Sequence, residues 1–320
     1  NVTHEKIKVK APFEMPAITI PDFRKCQTFS IVDFGAVQGD KLKTSKAIAS
    51  AISAANQAGG GTVVIPAGEW LTGKVHFKSN VNLHLSKGAV LLFDDNPNDY
   101  LPAVQTSWEG MECMNYSPLI YAWKCKNIAI TGSGTIKAQM ELWQTWAGRP
   151  RPHMNSLKRL YDMSYLNTPL EERLMVNDTA HLRPHLIQFN RCENIRLEGF
   201  SIKNSPFWTI HTYLSKNILL RKLNVYAHGH NNDGYDPEMS QNILVENCVF
   251  DQGDDAIAVK SGRNQEGWRS ETPTKNLVIR NCQVKNGHQL LAIGSELSGG
   301  IENVYLHDCK VEDGAKMFHL

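Results

Sequence analysis

Six segments of this chain repeat one alternation of apolar and polar positions. They are CKNIAITGSGTI (125–136), CENIRLEGFSI (192–202), SKNILLRKLNV (215–225), SQNILVENCVF (240–250), TKNLVIRNCQV (274–284) and IENVYLHDCKV (301–311). When they are aligned on Asn127, Asn194, Asn217, Asn242, Asn276 and Asn303, the first and third residues after the asparagine are apolar every time, as in Ile243 and Val245. That is the period of a strand, whose side chains face alternate sides. The fifth residue is Gly132, Gly199, Lys222, Asn247, Asn281 or Asp308. Five of these six are types that tolerate a left-handed bend, so the chain turns a corner there. Apolar residues resume at the sixth and eighth places. After the long gap to Asn194 the asparagines follow at steps of 23, 25, 34 and 27 residues, so each repeat reads as one coil of a solenoid with loops of varying length. Two or three short strands per coil, each coil feeding the next, predict an all-β fold, a right-handed parallel β-helix.

The flanking pattern predicts how this solenoid begins. Residues 1–28 are polar and broken by Pro12, Pro16 and Pro21, which reads as an extended arm, and residues 29–320 form the β-helix domain. Phe29 to Phe34 alternates like a short strand. From Thr44 to Gln57, Ala47, Ile48, Ala51, Ile52 and Ala55 recur at helical spacing, with Thr44 or Ser45 as N-cap and Gly59 as the stop. This helix is expected to cap the first coil. The far end shows no polar cap at Leu320, from which further C-terminal coils are expected. A start at Asn1 instead of Met suggests that an upstream segment was removed. One stretch departs from the repeat: Gln139 to Arg183, with Trp143, Trp146, Arg149, Arg151, Arg159 and Arg173, reads as a long excursion. Loops of this length are usually functional, and this one suits either a groove wall or a structural flap.

Composition narrows the classes. With 320 residues and 42% apolar content the chain can bury a large core. No run approaches the roughly 18 apolar residues of a membrane span, and there is no basic-then-apolar leader. A net charge of +2 without a stripe of Lys or Arg argues against nucleic acid as partner. Seven cysteines lack zinc-site or CxxC spacing. Cys248, Cys282 and Cys309 take equivalent sixth places in successive coils and read as a buried thiol stack.

The candidate chemistry lies between Asn231 and His288, in NNDG (231–234), GDDAIAVKSG (253–262) and NGH (286–288). Asp233 precedes Asp254 by 21 residues, close to one coil, and Asp254 and His288 both fall twelve places after their coil's asparagine. Residues one coil apart stand about 4.8 Å apart, so Asp233, Asp254, Asp255 and His288 are expected as one cluster on the outer surface. Two charges about 5 Å apart at an effective dielectric of about 20 repel by about 3 kcal/mol, or roughly 2.4 pKa units. One acid would then keep its proton near pH 5 to 6 while its neighbours stay anionic. That division suits cleavage of a glycosidic bond by general acid and base. Taken singly, the features have plainer readings: Asp233 as an Asx-turn residue before Gly234, Lys260 as a surface lysine, Asp236 as loop support, Trp208 and His211 as packing. A metal at His228 and His230 is not needed, because the Asp residues suffice.

These motifs, in this order on a coil repeat, resemble the polygalacturonase family of pectin-degrading enzymes, glycoside hydrolase family 28. The likeness extends over DFGAVQGD (33–40), GGGTVVIPAGEWLTG (59–73), KSNVNLHL (78–85), SPLIY (117–121) and NSPFWTIH (204–211), and WEGMECMNYSPLIY is similar to bacterial exo-acting members. The resemblance implies hydrolysis of α-1,4 links between galacturonic acids, with inversion, without metal or cofactor. It implies Asp254 as general acid, Asp233 and Asp255 on the attacking water, and His288 tuning the acid or touching substrate. Asn231, Lys260, Gln289 and His211 become substrate-binding candidates, Lys260 for a substrate carboxylate. The chain departs from the family at Gln289, where a glycine is usual and a larger side chain could crowd the groove. The family's Arg-x-Lys clamp would lie beyond Leu320. The implied partner is an acidic plant cell-wall polysaccharide or oligogalacturonide, met outside the cytoplasm in secreted or periplasmic form. Alternative readings are a rhamnogalacturonan or xylogalacturonan hydrolase, which His288 disfavours in its rhamnogalacturonan form, and a non-catalytic carbohydrate-binding β-helix. A calcium-dependent lyase lacks its Arg or Lys base in these motifs.

Overall fold

The computed structural model describes residues 1–312 and 314–320. Among the described residues, three parallel sheets of nine, eight and eight strands run the length of the molecule. Strands three apart in the chain pair with one another, which makes the fold a right-handed parallel β-helix. The nine-stranded sheet carries all six repeat strands, among them Glu193–Glu198, Lys216–Arg221, Gln241–Glu246 and Thr274–Arg280. A regular coil goes from Gln241–Glu246 through a turn at Asn247 to Val249–Gln252 and then to Ile257–Val259. The inward positions, Ile195, Leu197, Ile218, Leu220, Ile243, Val245, Leu277 and Ile279, are fully buried in one continuous core.

The register residue is the asparagine itself. Asn127, Asn194, Asn217, Asn242, Asn276 and Asn303 all sit in the left-handed region, with φ between 55° and 60°. Each passes its side-chain amide to the carbonyl oxygen of the asparagine one coil back, as Asn194 does to Asn127 at 2.9 Å and Asn217 to Asn194 at 3.0 Å. Asn80, outside the aligned repeats, extends this ladder by accepting from Asn127. The fifth-place corner is also left-handed in every coil, including Lys222 at φ 53°. Residue type did not foretell Lys222; the stacking of the coil does.

Near the N-terminus the structure corrects three expectations. The arm is not simply extended. Strands β1 (Thr3–Ile7) and β2 (Ile18–Asp22) form an antiparallel hairpin. Val9, Ile18 and Ile20 cover the outward apolar residues Leu219, Leu244 and Val278 of the nine-stranded sheet. The strand expected at Phe29 to Phe34 ends at Ser30, and Ile31–Phe34 is a short 3₁₀ turn. Helix α1 (Lys41–Gln57) starts three residues before the expected Thr44, because Asp40 caps it by accepting from the Lys43 amide. Its buried face, from Thr44 to Ala55, joins the core of the first coils.

The Gln139 to Arg183 excursion contains α2 (Glu141–Trp146) and α3 (Arg151–Tyr165). Trp143 and Trp146 of α2 enter the main core, and Leu157, Leu160 and Met163 of α3 enter a second cluster with Trp108, Phe207 and Trp208. All seven cysteines are thiols. Cys248 and Cys282 are buried and Cys309 is partly so, each with Sγ against a backbone carbonyl. Among the described residues, no helix is long and apolar enough to cross a membrane.

The ladder yields a stability prediction. Asn194→Ala loses two ladder hydrogen bonds and forces a β-carbon residue to φ near 60°, which together cost about 2–3 kcal/mol. Asn194→Gly loses the bonds without the backbone penalty. Thermal melts should order wild type above Asn194→Gly and Asn194→Gly above Asn194→Ala; equal losses in the two variants would show that backbone handedness contributes nothing.

Candidate active site

The site forms at the corner between the second and third strands of successive coils. Tyr235 pairs with Ile257 and Ile257 with Leu291, so two residues earlier Asp233, Asp255 and Gln289 fall in one column. Asp254 and His288 fall in the column beside it. Backbone bonds fix this register: the Gly234 amide donates to the Asp255 carbonyl at 2.9 Å, and the His288 amide to the Asp254 carbonyl at 2.9 Å. Gly234 is required by close approach, since a β-carbon there would lie 2.6 Å from the Ala256 carbonyl oxygen.

The structure thus brings together the four residues expected as a cluster, with one correction. Asp254 and His288 reach solvent, with Nδ1 of the imidazole 3.0 Å from the carboxylate. Asp233 and Asp255 do not lie on the outer surface; they form the floor of a cleft, 4% and 8% exposed. The cleft has a volume of about 540 Å³ and is also lined by Arg149, Tyr161, Trp208, Asn231, Lys260, Arg263 and Glu296. Gln289 does not crowd it. Its side-chain amide donates to Asp255, orienting that carboxylate.

Burial decides the proton affinities. It pushes Asp233 up to about 7, with Lys260 pulling the other way. It pushes Asp255 up to about 6, helped by the charge of Asp254 and opposed by Lys260 and His288. Asp236 is fully buried, and neither of its carboxylate oxygens has a hydrogen-bond donor in the structure. Burial and the neighbouring Asp233 raise it well above the ordinary carboxylate range. From the sequence Asp236 was expected only as loop support, and its closeness to Asp233 emerges from the fold.

Two binding expectations are corrected. Lys260, 6% exposed, is not an open receptor for a carboxylate. Its ammonium contacts Glu296 at 2.8 Å and donates to the Gly294 carbonyl at 2.8 Å, since a cation that deep needs compensation. Its field nonetheless acts on Asp233 and Asp236. His211 lies fully in the core and lines no part of the cleft. Burial lowers its proton affinity to about 3, so it is neutral. Gln188 donates to Nδ1 at 3.0 Å, which leaves Nε2–H for Glu238 at 3.0 Å. Asn231, at φ 60°, keeps its place at the rim by accepting from Arg183 at 2.9 Å. Trp208 lines the cleft, with the Lys260 ammonium 5.1 Å from its ring. Donor atoms of Asp254, Asp255 and His288 lie within 4.8 Å of one another and are where a cation would bind, although Asp254 and His288 already satisfy each other.

The sequence did not assign Arg149, Tyr161, Glu109, Arg263 or Glu296 to the cleft. The first two come from the excursion, and Glu109 sits at the tip of the hairpin formed by Val104–Trp108 and Met111–Asn115. None follows the coil repeat, so no periodicity could place them.

The chain is similar to several known proteins. Residues 171–317 match the family model "Glycosyl hydrolases family 28". The chain is 31% identical over 295 residues to a probable polygalacturonase of Vitis vinifera, covering 89% of this chain and 55% of that protein. It is 28% identical over 302 residues to an exo-poly-alpha-D-galacturonosidase of Dickeya chrysanthemi, covering 87% and 49%. The chain therefore spans about half the length of these curated relatives. Its fold superposes on the crystal structure of a hyperthermoactive exopolygalacturonase from Thermotoga maritima with a TM-score of 0.85 and 38% identity, covering 92% of this chain and 68% of that one. With the coil repeat, the acidic corner and these likenesses together, the chain belongs to glycosyl hydrolase family 28.

Proposed function

We propose that this protein hydrolyses α-1,4-galacturonosyl links in polygalacturonate and pectin oligomers, from chain ends and with inversion. The observation that carries the reading is the convergence of Asp233, Asp254 and Asp255 from two coils on one cleft walled by Arg149, with His288 of a third coil against Asp254. Carboxyls perform the proton transfers, and the half-exposed guanidinium of Arg149 suits an anionic sugar. The exo preference is supported by the exo-acting relatives and by the excursion, whose Arg149 and Tyr161 wall the cleft. Action on a plant cell-wall polymer places the protein outside the cytoplasm.

In this mechanism Asp254, the carboxyl most open to the cleft, protonates the leaving oxygen, with the His288 imidazole against it. Asp255, oriented by Gln289, and Asp233 beside it hold and deprotonate the attacking water. The cluster titrates as a unit. Below about pH 6 it retains protons on its buried members, and above about pH 7 it is stripped of them. Nearest donor atoms of Asp254 and Asp255 lie within 4.8 Å, less than the roughly 6.5–9.5 Å usual for inverting pairs, so this pair does not bracket the sugar by itself. Stereochemistry then depends on Asp233, one coil before Asp255 in the same column.

Three outcomes are expected. Asp254→Asn should lower the release of reducing ends from polygalacturonate by about 10²–10⁴-fold while sparing much of the binding; binding without cleavage by both variant and wild type would identify a binding module instead. Proton NMR of a fresh digest should show the β-anomer first, and initial α-anomer would rule out inversion. Product sizes from the same digest read exo or endo action directly.

The raised affinity of Asp233 also affects stability. Because its value in the fold, about 7, exceeds the ordinary value, its contribution is fully present below about pH 3.8 and lost as pH rises to about 7. Asp233→Asn should therefore raise the melting temperature at pH 8 by at least ~2 °C, and by much less at pH 4.5. A rise of the same size at both pH values would show that the buried charge is not its source.

A further inference from the structure

The excursion that breaks the coil repeat delivers to the cleft a guanidinium whose donors make no hydrogen bond among the described residues. Three other cations at the site are committed within the protein. Lys260 is held by Glu296 and the Gly294 carbonyl, both at 2.8 Å. Arg263 donates to the Glu109 carbonyl at 2.9 Å and to Glu296 at 2.5 Å. Arg183 donates to the carbonyls of Pro206 and His230 and to Asn231, all within 2.9 Å. Arg149 differs. Among the described residues its carboxylate neighbour is Glu109, at 3.7 Å, too far for a hydrogen bond, and its side chain is 39% exposed. Glu109 lies equally far from Arg263, at 3.7 Å, so its charge is divided between two guanidinium groups.

Position supports the same role. Arg149 lies in the short turn joining α2 to α3, at φ 49°, just before Pro150. On one side Trp143 and Trp146 anchor the turn in the main core, and on the other Leu157 and Leu160 anchor it in the second cluster. The guanidinium is therefore carried on a firmly seated support. It lines the same cleft as Asp233, Asp254 and Asp255. His230 feels both sides, being disfavoured as a cation by burial and by Arg149 and Arg183 and favoured by Asp254. A planar guanidinium with spare donors facing such a cleft fits a carboxylate through two parallel hydrogen bonds.

We infer that Arg149 recognises the carboxylate of a galacturonate unit in the cleft, a specificity contact made by the excursion and not by the coil motifs. This rests on the uronide reading of the substrate given above. The contact distinguishes the free acid from its methyl ester, which keeps the sugar's shape and removes the charge.

Calorimetric titration of trigalacturonate and of its fully methyl-esterified form tests the inference. Asp254→Asn serves as background so that the ligand stays intact, with Arg149 native, Arg149→Ala or Arg149→Lys. Native Arg149 should favour the acid over the ester by at least ~10-fold. Arg149→Ala should weaken the acid by about 10–100-fold and the ester little, collapsing that ratio, and Arg149→Lys should restore part of it. An unchanged ratio in Arg149→Ala, or equal losses for both ligands, overturns the inference; so does a background protein that binds neither. Galacturonate release, measured with Asp254 intact, is scored separately. Acid-selective binding through Arg149 without turnover would remove the hydrolase reading alone, and turnover with an unaltered acid-to-ester ratio would remove this inference alone.

Discussion

Everything in this molecule depends on one spacing, the step of about 4.8 Å by which each coil repeats the one before it. Backbone hydrogen bonds set the step, and the asparagine ladder holds its register. From Asn80 through Asn303 each amide bonds to the one below, in a left-handed conformation that asparagine adopts more readily than most residues. A slip of one residue would turn every apolar side chain out of the core. It would also dissolve the site, because Asp233, Asp255 and Gln289 share a column only while Tyr235, Ile257 and Leu291 remain paired. Folding and the assembly of the acidic corner are the same event.

The corner is a compromise between burial and charge. Asp233 and Asp236 are sunk where an anion is poorly solvated, and the charge of Asp233 adds to the burial that raises Asp236. Lys260 offsets part of that cost without touching the sugar face, since Glu296 and the Gly294 carbonyl already hold it. Burial alone would push Glu296 up, yet Lys260 and Arg263 outweigh it and keep it ionised. The cleft floor is thus a layered arrangement, with carboxyls that keep protons above an ion network that does not. Removing either layer would change the proton inventory of the other.

How much of this could be read from the chain differs by residue. Strand positions followed from strict alternation after each asparagine, and the columns of Asp254 and His288 followed from counting, because both are local consequences of a repeat. Asp40 was missed as a cap because Thr44 and Ser45 compete for that place in composition, and only the geometry of the entering chain decides. Gln289 looked like an obstruction; its neighbour in the preceding coil, Asp255, gives its amide a target. Lys260 looked like a ligand-binding cation because sequence carries no measure of depth. Arg149 stood out only as one of several arginines in an aperiodic stretch. Its approach to the acidic corner depends on two helices packing into separate clusters, which no spacing rule encodes.

The hairpin of β1 and β2 has a consequence for how the chain is made. Ile18 and Ile20 leave the ribosome early, yet they rest on Leu219, Leu244 and Val278, which emerge far later. At synthesis rates of about 5–20 residues per second, the interval between Ile20 and Val278 is roughly 10–50 s. During that time this apolar hairpin has no seat, and Leu219, Leu244 and Val278 have no partner until the coils beneath them are stacked. A segment made before those coils thus docks after them, and it fastens several already wound coils together from outside.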